Sequence, residues 1–410
     1  MDVTVFRKKE PAPPCSVRVP SSKSLTHRAL IAAALADGTS QIFSPARGDD
    51  ILATIRCLRA LGAKTEDLGD RITVTGPMDH TADSVLDCGE SASTLRFLIP
   101  VCAAGGAPVR FTGSGRLLER PLEVYRGIFG QERFSITGGI LTVRGPLPEG
   151  RITVRGDESS QNISGLMFAL PLLSGDHVID IIPPLLSSPY VDMTAEVLKA
   201  AGIETARDSL MIRVPGGQRY RPFEYTVPPD WSSAAPFIVL SLITGQDITI
   251  ENADRGSLQA DAAILGFAER FSENGEPSAI EADISDCPDL GPLLFAAASL
   301  AEGTTVIRGI KKLRTKESDR VLAMKTALEK LGVSVRIEED AAYVTGSKVL
   351  LGGAVLDGFS DHRIVMALAV LACAAEEPVT ITGAEAVSKS WPNFFSMLET
   401  IPSVITSFSV

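Results

Sequence analysis

Six times along the 410-residue chain, a polar turn rich in serine, proline or aspartate runs into an apolar stretch long enough for a helix. The turns open near Pro20, Asp87, Gly156, Pro229, Cys287 and Ser360. The period is roughly 60–70 residues, longer than that of the short-period solenoids. Each unit reads as β-α-β-α-β-β. Its first helix is apolar on nearly every side (residues 29–36, 165–173, 236–244, 293–301 and 364–375), and such a helix has to be buried all round. Gly38, Gly175, Gly245 and Gly303 follow four of these stretches, where a left-handed cap is expected. A β-branched run comes next, as at residues 178–181, 248–250 and 304–307. The second helix is amphipathic (50–61, 191–201, 319–331) and stops at Gly62, Gly202 or Gly332, and two alternating strands close the unit, as at 64–66 and 72–75. The fourth unit is short and the second has an irregular stretch at 131–139. The six units divide into two groups of three around Val227-Pro228-Pro229-Asp230. Buried helices wrapped by sheets in two such lobes would turn their N-termini toward a common cleft.

A chain of this length forms about two domains. Net charge is −11, which argues against nucleic acid or an anionic membrane as a partner. Positive charge is therefore local. The six cysteines form no CxxC pair and the four histidines no metal-binding pattern, so buried, reduced thiols and no metal site are expected. Residues 1–19 are charged and proline-bearing without an apolar core, unlike a signal peptide. The apolar helices, at roughly 10–14 residues, are too short to span a bilayer. The composition reads as that of a cytoplasmic globular protein.

Basic residues gather where the helices begin: Lys23 and Arg28, Arg96, and Arg363. Arg120 and the run Arg314-Lys316-Arg320 add two further clusters. A helix N-terminus already attracts anions, and a cation there opposes the dipole. Such placement does little for the helix but suits a polyanionic small molecule. Residues 20–24 read either as a serine N-cap with solvated charges or as a phosphate or carboxylate site, with Lys23 and Arg28 about one turn apart on one face. Residues 87–94, ahead of Arg96, read either as a plain loop or as a small-residue turn for close backbone approach to a ligand. Ser159, Ser160 and Gln161 offer hydroxyls and an amide before a buried helix. In residues 314–320 the alternatives are a solvated charged face and an anion site, with Lys316 and Arg320 spaced for one helical face. Asp289 and Glu317 are carboxylates that cationic neighbours would keep ionised.

Ser22-Lys23-Ser24 with Arg28, Arg120-Pro121, Ser159-Ser160-Gln161, Ser187 with Pro189-Tyr190, Pro288-Asp289, Lys316-Glu317 with Asp319-Arg320, Asp361-His362-Arg363, and Lys389 together resemble the EPSP synthase family of 3-phosphoshikimate 1-carboxyvinyltransferases. The resemblance runs from Val19 to Pro392. It implies a two-lobed inside-out α/β barrel fold, three repeats per lobe. Residues 1–19 with 229–410 would form the C-terminal lobe and residues 20–228 the N-terminal lobe, with the active site between them. It also implies the reaction, in which phosphoenolpyruvate and shikimate 3-phosphate give an enolpyruvyl ether and inorganic phosphate, in a monomer needing no cofactor or metal.

By that resemblance, shikimate 3-phosphate is held by Lys23, Ser24, Arg28, Ser159, Ser160, Gln161, Ser187, Tyr190, Asp289 and Lys316. Phosphoenolpyruvate is held by Lys23, Arg120, Gln161, Arg320, Arg363 and Lys389, with Ala92 against its site. Asp289 would take the acceptor's hydroxyl proton, and Glu317 or Lys23 would serve the carbon-side proton. The chain departs from the family at Glu90 and Lys312, where asparagine is frequent, and at Ala92, where glycine is common and leaves room for the inhibitor glyphosate. It is also shorter than many relatives around residues 131–139 and 253–284. UDP-N-acetylglucosamine enolpyruvyl transferases share fold and donor but carry a cysteine acid before their Arg-Pro, and residues 113–120 contain none. A sugar-phosphate-binding protein without catalysis would have no need of Asp289 and Glu317 among the cations.

Overall fold

Serine or aspartate caps begin the apolar helices that start after Ser22, Ser91, Ser159, Asp230 and Asp361, and glycines end the amphipathic ones. The computed structural model describes residues 1–8, 10, 12–79, 85–273 and 277–409. Residues 9 and 11, within the stretch read as no signal peptide, and 274–276, within the shortened stretch 253–284, lie outside the described residues. The chain forms two compact units: Ser21–Pro228, and Met1–Pro20 with Pro229–Val410.

The unit Ser21–Pro228 contains α1 (Lys23–Leu35), α2 (Asp49–Ala60), α3 (Ala92–Ala104), α4 (Glu123–Phe129), α5 (Ser160–Ala169) and α6 (Pro189–Ala200). Three four-stranded sheets surround its core, and all share one order. In the third sheet, Arg151–Arg155 pairs parallel with Asp176–Ile182, which pairs antiparallel with Met211–Pro215, itself antiparallel to Ala206–Asp208. The first sheet begins with Glu224–Thr226, far along the chain, parallel to Gly38–Phe43. Residues Leu25–Leu35 of α1 are all buried, as are Leu95–Ala103 of α3, which explains their lack of a polar face.

The other unit contains α7 (Trp231–Thr244), α8 (Ile264–Phe271), α9 (Gly291–Ala298), α10 (Arg320–Lys330), α11 (His362–Ala374) and α12 (Phe394–Leu398). Two of its sheets repeat the same four-stranded order, and the N-terminal strand Asp2–Arg7 supplies the third position of one of them. The short fourth repeat yields only the two-stranded sheet of Cys15–Val17 with Ile248–Ile250. The fold is mixed α/β. Among the described residues each sheet is open, with two edge strands, and no closed barrel forms.

Three glycine stops form one motif. Gly62, Gly202 and Gly332 have φ of 89°, 79° and 86°. In each case the glycine N–H and the next N–H bond back into the last turn, as with Gly62 to Arg59 at 2.9 Å and Ala63 to Leu58 at 3.0 Å, which is a Schellman cap. Among the other expected stops only Gly245 caps its helix directly, with φ 68°. Gly38 instead begins a strand, and α1 ends at an extended Ala36. The stretch 131–139, expected to be irregular, carries the strand Phe134–Thr137, which pairs back on Ile140–Arg144. The buried helices start earlier than their apolar runs, because polar residues such as Thr26, His27 and Arg28 are buried with them. No described helix is long and apolar enough to cross a membrane.

Candidate active site

In the unit Ser21–Pro228 the starts of α1, α3 and α5 are tied together by neutral groups. Ser22, Ser91 and Ser159 cap them through their side chains. His27 Nδ1 lies 2.7 Å from Thr54 Oγ1, which lies 2.6 Å from Thr94 Oγ1, and Thr94 donates to Ser91 at 2.7 Å. Gln161 Nε2 donates to Ser93 Oγ at 2.8 Å, so the second residues of α3 and α5 meet. Arg96 donates to Gln161 Oε1 at 2.8 Å and to the Pro121 carbonyl at 2.9 Å, which places the half-buried Arg120 beside this cluster. Ala92 is the first residue of α3. Glu158, just before Ser159, accepts from the Val124 N–H at 3.1 Å and from Asn162 at 2.9 Å. Burial raises its carboxyl above the usual range.

Lys23 and Arg28 do not share a face. They are five residues apart, about 140° around a helix. Lys23 pairs with Asp50 of α2 at 2.8 Å. Arg28 turns inward, donating to Thr194 Oγ1 at 2.8 Å, the Ser24 carbonyl at 2.8 Å, the Tyr190 carbonyl at 3.0 Å and Ser164 Oγ at 3.4 Å. Its guanidinium also sits 5.0 Å from the Phe97 ring centroid. Four of the five N–H groups an arginine offers are thereby used inside the fold. Burial lowers its pKa to about 10. Ser24, Arg28 and Tyr190 are brought together, and the Tyr190 N–H bonds to the carbonyl of Ser187, which has a left-handed φ of 60°. Ser159 caps α5, and Ser160 opens it, buried.

In the second unit the helix starts are joined by charge. Asp289 lies in the short 3-10 turn Pro288–Leu290 that leads into α9. Its carboxylate is 3.2 Å from Lys316 Nζ, 2.9 Å from Arg320 Nη1 and 3.9 Å from Arg363 Nη2. Burial pushes this carboxyl up, but Lys316, Arg320 and Arg363 outweigh it and hold the pKa well below the usual range. Arg320 also pairs with Glu317 at 2.8 Å and Asp361 at 2.8 Å. Arg363 donates to the Ser232 carbonyl of α7 at 3.0 Å. Lys389 is buried at the end of the 3-10 turn Ala384–Lys389.

Lys316 and Arg320 were expected on one face of a helix. Asp319 instead caps α10 at Leu322, so the helix begins at Arg320 with Lys316 outside it, and the two cations meet through Asp289. Glu90 packs its carboxylate over Gly115, where an added Cβ would collide with it. Lys312 lies in the 3-10 turn Ile310–Thr315. Sequence reading missed Asp50, Asp261 and the carboxylate role of Asp361. Asp49-Asp50 at the start of α2 was a visible signal, since acidic residues there favour the dipole. Among the described residues no cluster of His, Cys, Asp and Glu is arranged to hold a metal ion.

Residues 14–398 match the family model described as EPSP synthase (3-phosphoshikimate 1-carboxyvinyltransferase). The chain is 37% identical to the 3-phosphoshikimate 1-carboxyvinyltransferase of Clostridium novyi, with 96% of each chain covered. It is 39% identical to that of Clostridium kluyveri at the same coverage. The solved EPSP synthase of Acinetobacter baumannii superimposes with a TM-score of 0.80 at 26% identity, over 99% of this chain and 100% of that one.

Proposed function

The chain belongs to the EPSP synthase family, and from that premise we infer how its residues divide the work of the reaction. The enzyme transfers the enolpyruvyl group of phosphoenolpyruvate to the 5-hydroxyl of shikimate 3-phosphate, in the shikimate pathway, and releases phosphate. We assign the donor's carboxylate and phosphate to Lys23, Arg120, Gln161, Arg320, Arg363 and Lys389, because guanidinium forks match both groups. Ala92 backs that site. The acceptor falls to Lys23, Ser24, Arg28, Ser159, Ser160, Gln161, Ser187, Tyr190, Asp289 and Lys316. Arg28 has at most one N–H left for it, so its main contribution is to hold Ser24 and Tyr190 in place. Five four-stranded sheets of one order and the two-stranded sheet of the short fourth repeat support six β-α-β-α-β-β units of the inside-out type, three per lobe. We take the enzyme to act as a cytoplasmic monomer.

The observation that carries the mechanism is the meeting of Lys316, Arg320 and Arg363 on Asp289. With its pKa held down by those three cations, Asp289 is a weak base in the free enzyme. An effective general base needs a pKa nearer the working pH. Anionic substrates that take over the three cations relieve this suppression, and Asp289 then accepts the hydroxyl proton. Glu317 and Lys23 are the groups to handle the proton at the donor's methylene carbon. The test is phosphate release from phosphoenolpyruvate with and without shikimate 3-phosphate. Release that depends on both substrates is expected, and binding without release would defeat the reading.

A further inference from the structure

Asp261 lies outside every motif read from the sequence, yet it is buried against the charged cluster of the second unit. It sits in the 3-10 turn Ala260–Ala263 and is 2% exposed. Ser232 Oγ, in the first turn of α7, donates to its Oδ2. The carbonyl of the same serine accepts from Arg363 Nη1 at 3.0 Å. The Ser232 N–H bonds to Asp230 Oδ1 at 3.0 Å, and the neighbouring Trp231 N–H to Gln259 Oε1 at 3.3 Å. The segment carrying Asp261 and the start of α7 are therefore joined at Trp231 and again at Ser232.

Beyond its bond to Ser232, Arg363 is held by charge: against the cost of burial, Asp289, Asp230 and Asp261 all favour its cationic form. Its Nη2 is 3.9 Å from Asp289, a carboxylate already shared with Lys316 and Arg320, and its buried Nε has no hydrogen-bond partner. The Ser232 carbonyl is thus the firm anchor for the guanidinium. Burial raises the Asp261 carboxyl to about 7, with Asp289 adding to the rise and Arg363 and Ser232 opposing it.

We propose that Asp261 is a positioning residue for Arg363: by holding Ser232 it fixes the carbonyl on which the guanidinium rests and so aims the fork at the donor. This rests on the assignment of Arg363 to phosphoenolpyruvate. Supporting groups of this kind cost about 10–100-fold when removed from metal sites, and an effect near the low end is expected here. Steady-state kinetics with both substrates, on the full chain, tests it. Asp261→Ala and Ser232→Ala should each raise the KM for phosphoenolpyruvate about tenfold while changing that for shikimate 3-phosphate less than about twofold. Asp261→Asn keeps an acceptor in place and should restore most of the donor affinity. The double alanine variant should be no worse than Asp261→Ala alone, since Ser232 acts on the carboxyl through the one bond they share. An unchanged donor KM, or a parallel rise in both KM values, overturns the proposal. If Asp261→Ala does not fold, Ser232→Ala decides alone. A wild-type enzyme without two-substrate turnover would instead overturn the functional reading, and this inference with it.

Discussion

Arg28 and Arg320 are the two largest fully buried side chains of the molecule, one in each unit, and their surroundings drive them in opposite directions. Arg28 is held by hydroxyls and carbonyls, and burial lowers its pKa to about 10. Burial also works against the charge on Arg320, but Asp361, Glu317 and Asp289 outweigh it and raise the pKa above the ordinary value. The caps follow the same division: serine begins α1, α3 and α5, while aspartate begins α7, α10 and α11. In the first unit the buried arginine is met by uncharged acceptors, each such bond to a charged group being worth roughly 1.5–3 kcal/mol. The other is organised by charges whose partners are expensive to remove. The difference suits their proposed tasks. Neutral groups orient a polyol, while cations already balanced by carboxylates can exchange those carboxylates for the anions of a substrate.

The comparison breaks first at Asp289. Asp289→Asn should lower turnover by about 10²–10⁴ while acceptor affinity falls far less. Stopped-assay kinetics with both substrates varied would show it, and near-normal turnover would remove Asp289 from the chemistry. Next come the two arginines. Asp361→Ala takes one of three carboxylates from the buried Arg320, together with the cap of α11, and should cost roughly 3–5 kcal/mol, measured by urea unfolding. Thr194→Val, which removes one partner of Arg28, should cost only about 1.5–3 kcal/mol. Equal losses would mean that the two units are not held together differently.

Local chemistry made much of this legible in the sequence. Ser22, Ser159 and Asp361 announce helix starts because their oxygens cap free N–H groups, and Gly62, Gly202 and Gly332 announce stops because they adopt positive φ. Those signals lie within a few residues of what they control. The pairings that set the character of each site do not. Arg28 meets Thr194 across 166 positions and Arg320 meets Asp361 across 41. Nothing near Arg28 in the chain separates a ligand-facing guanidinium from one consumed by the fold. Asp261 was missed for the same reason, since its partner Ser232 is 29 residues away. Local signals also misled where spacing was read as a helix: Lys316 falls before the cap at Asp319 and reaches Arg320 only through Asp289.

Ala92 probes the neutral side of the comparison. It is buried at the first position of α3, directly after the cap Ser91. The family resemblance implies that glycine there leaves room for glyphosate, which is longer than the natural donor. A methyl group at a filled site costs roughly 1–3 kcal/mol, and one methyl-sized change discriminates ligands by about 10–200-fold. Ala92→Gly should therefore raise sensitivity to glyphosate at least about tenfold, with little change in the KM for phosphoenolpyruvate. Inhibition curves for the two proteins decide it. Equal sensitivity would mean that the methyl does not face the donor site.

The smallest expected effect is in pH dependence, where Asp289 and Glu158 differ in sign. Asp289 has a folded pKa below its unfolded value, as burial is outweighed by Lys316, Arg320 and Arg363. Its contribution to stability is present above about pH 3.9, the unfolded value, and is lost as pH falls toward the depressed one. Glu158 has a folded pKa raised by burial. Its ionisation contributes in the opposite sense: the favourable part is present below about pH 4.3 and is lost as pH rises through the raised value. Urea midpoints of wild type, Asp289→Asn and Glu158→Gln, followed from neutral pH into the acid range, separate the two. The stability difference between wild type and Asp289→Asn should shrink on acidification. Measured against Glu158→Gln, wild type should gain instead. Slopes of the same sign for both variants would show that the surroundings of Asp289 and Glu158 do not shift them in opposite directions.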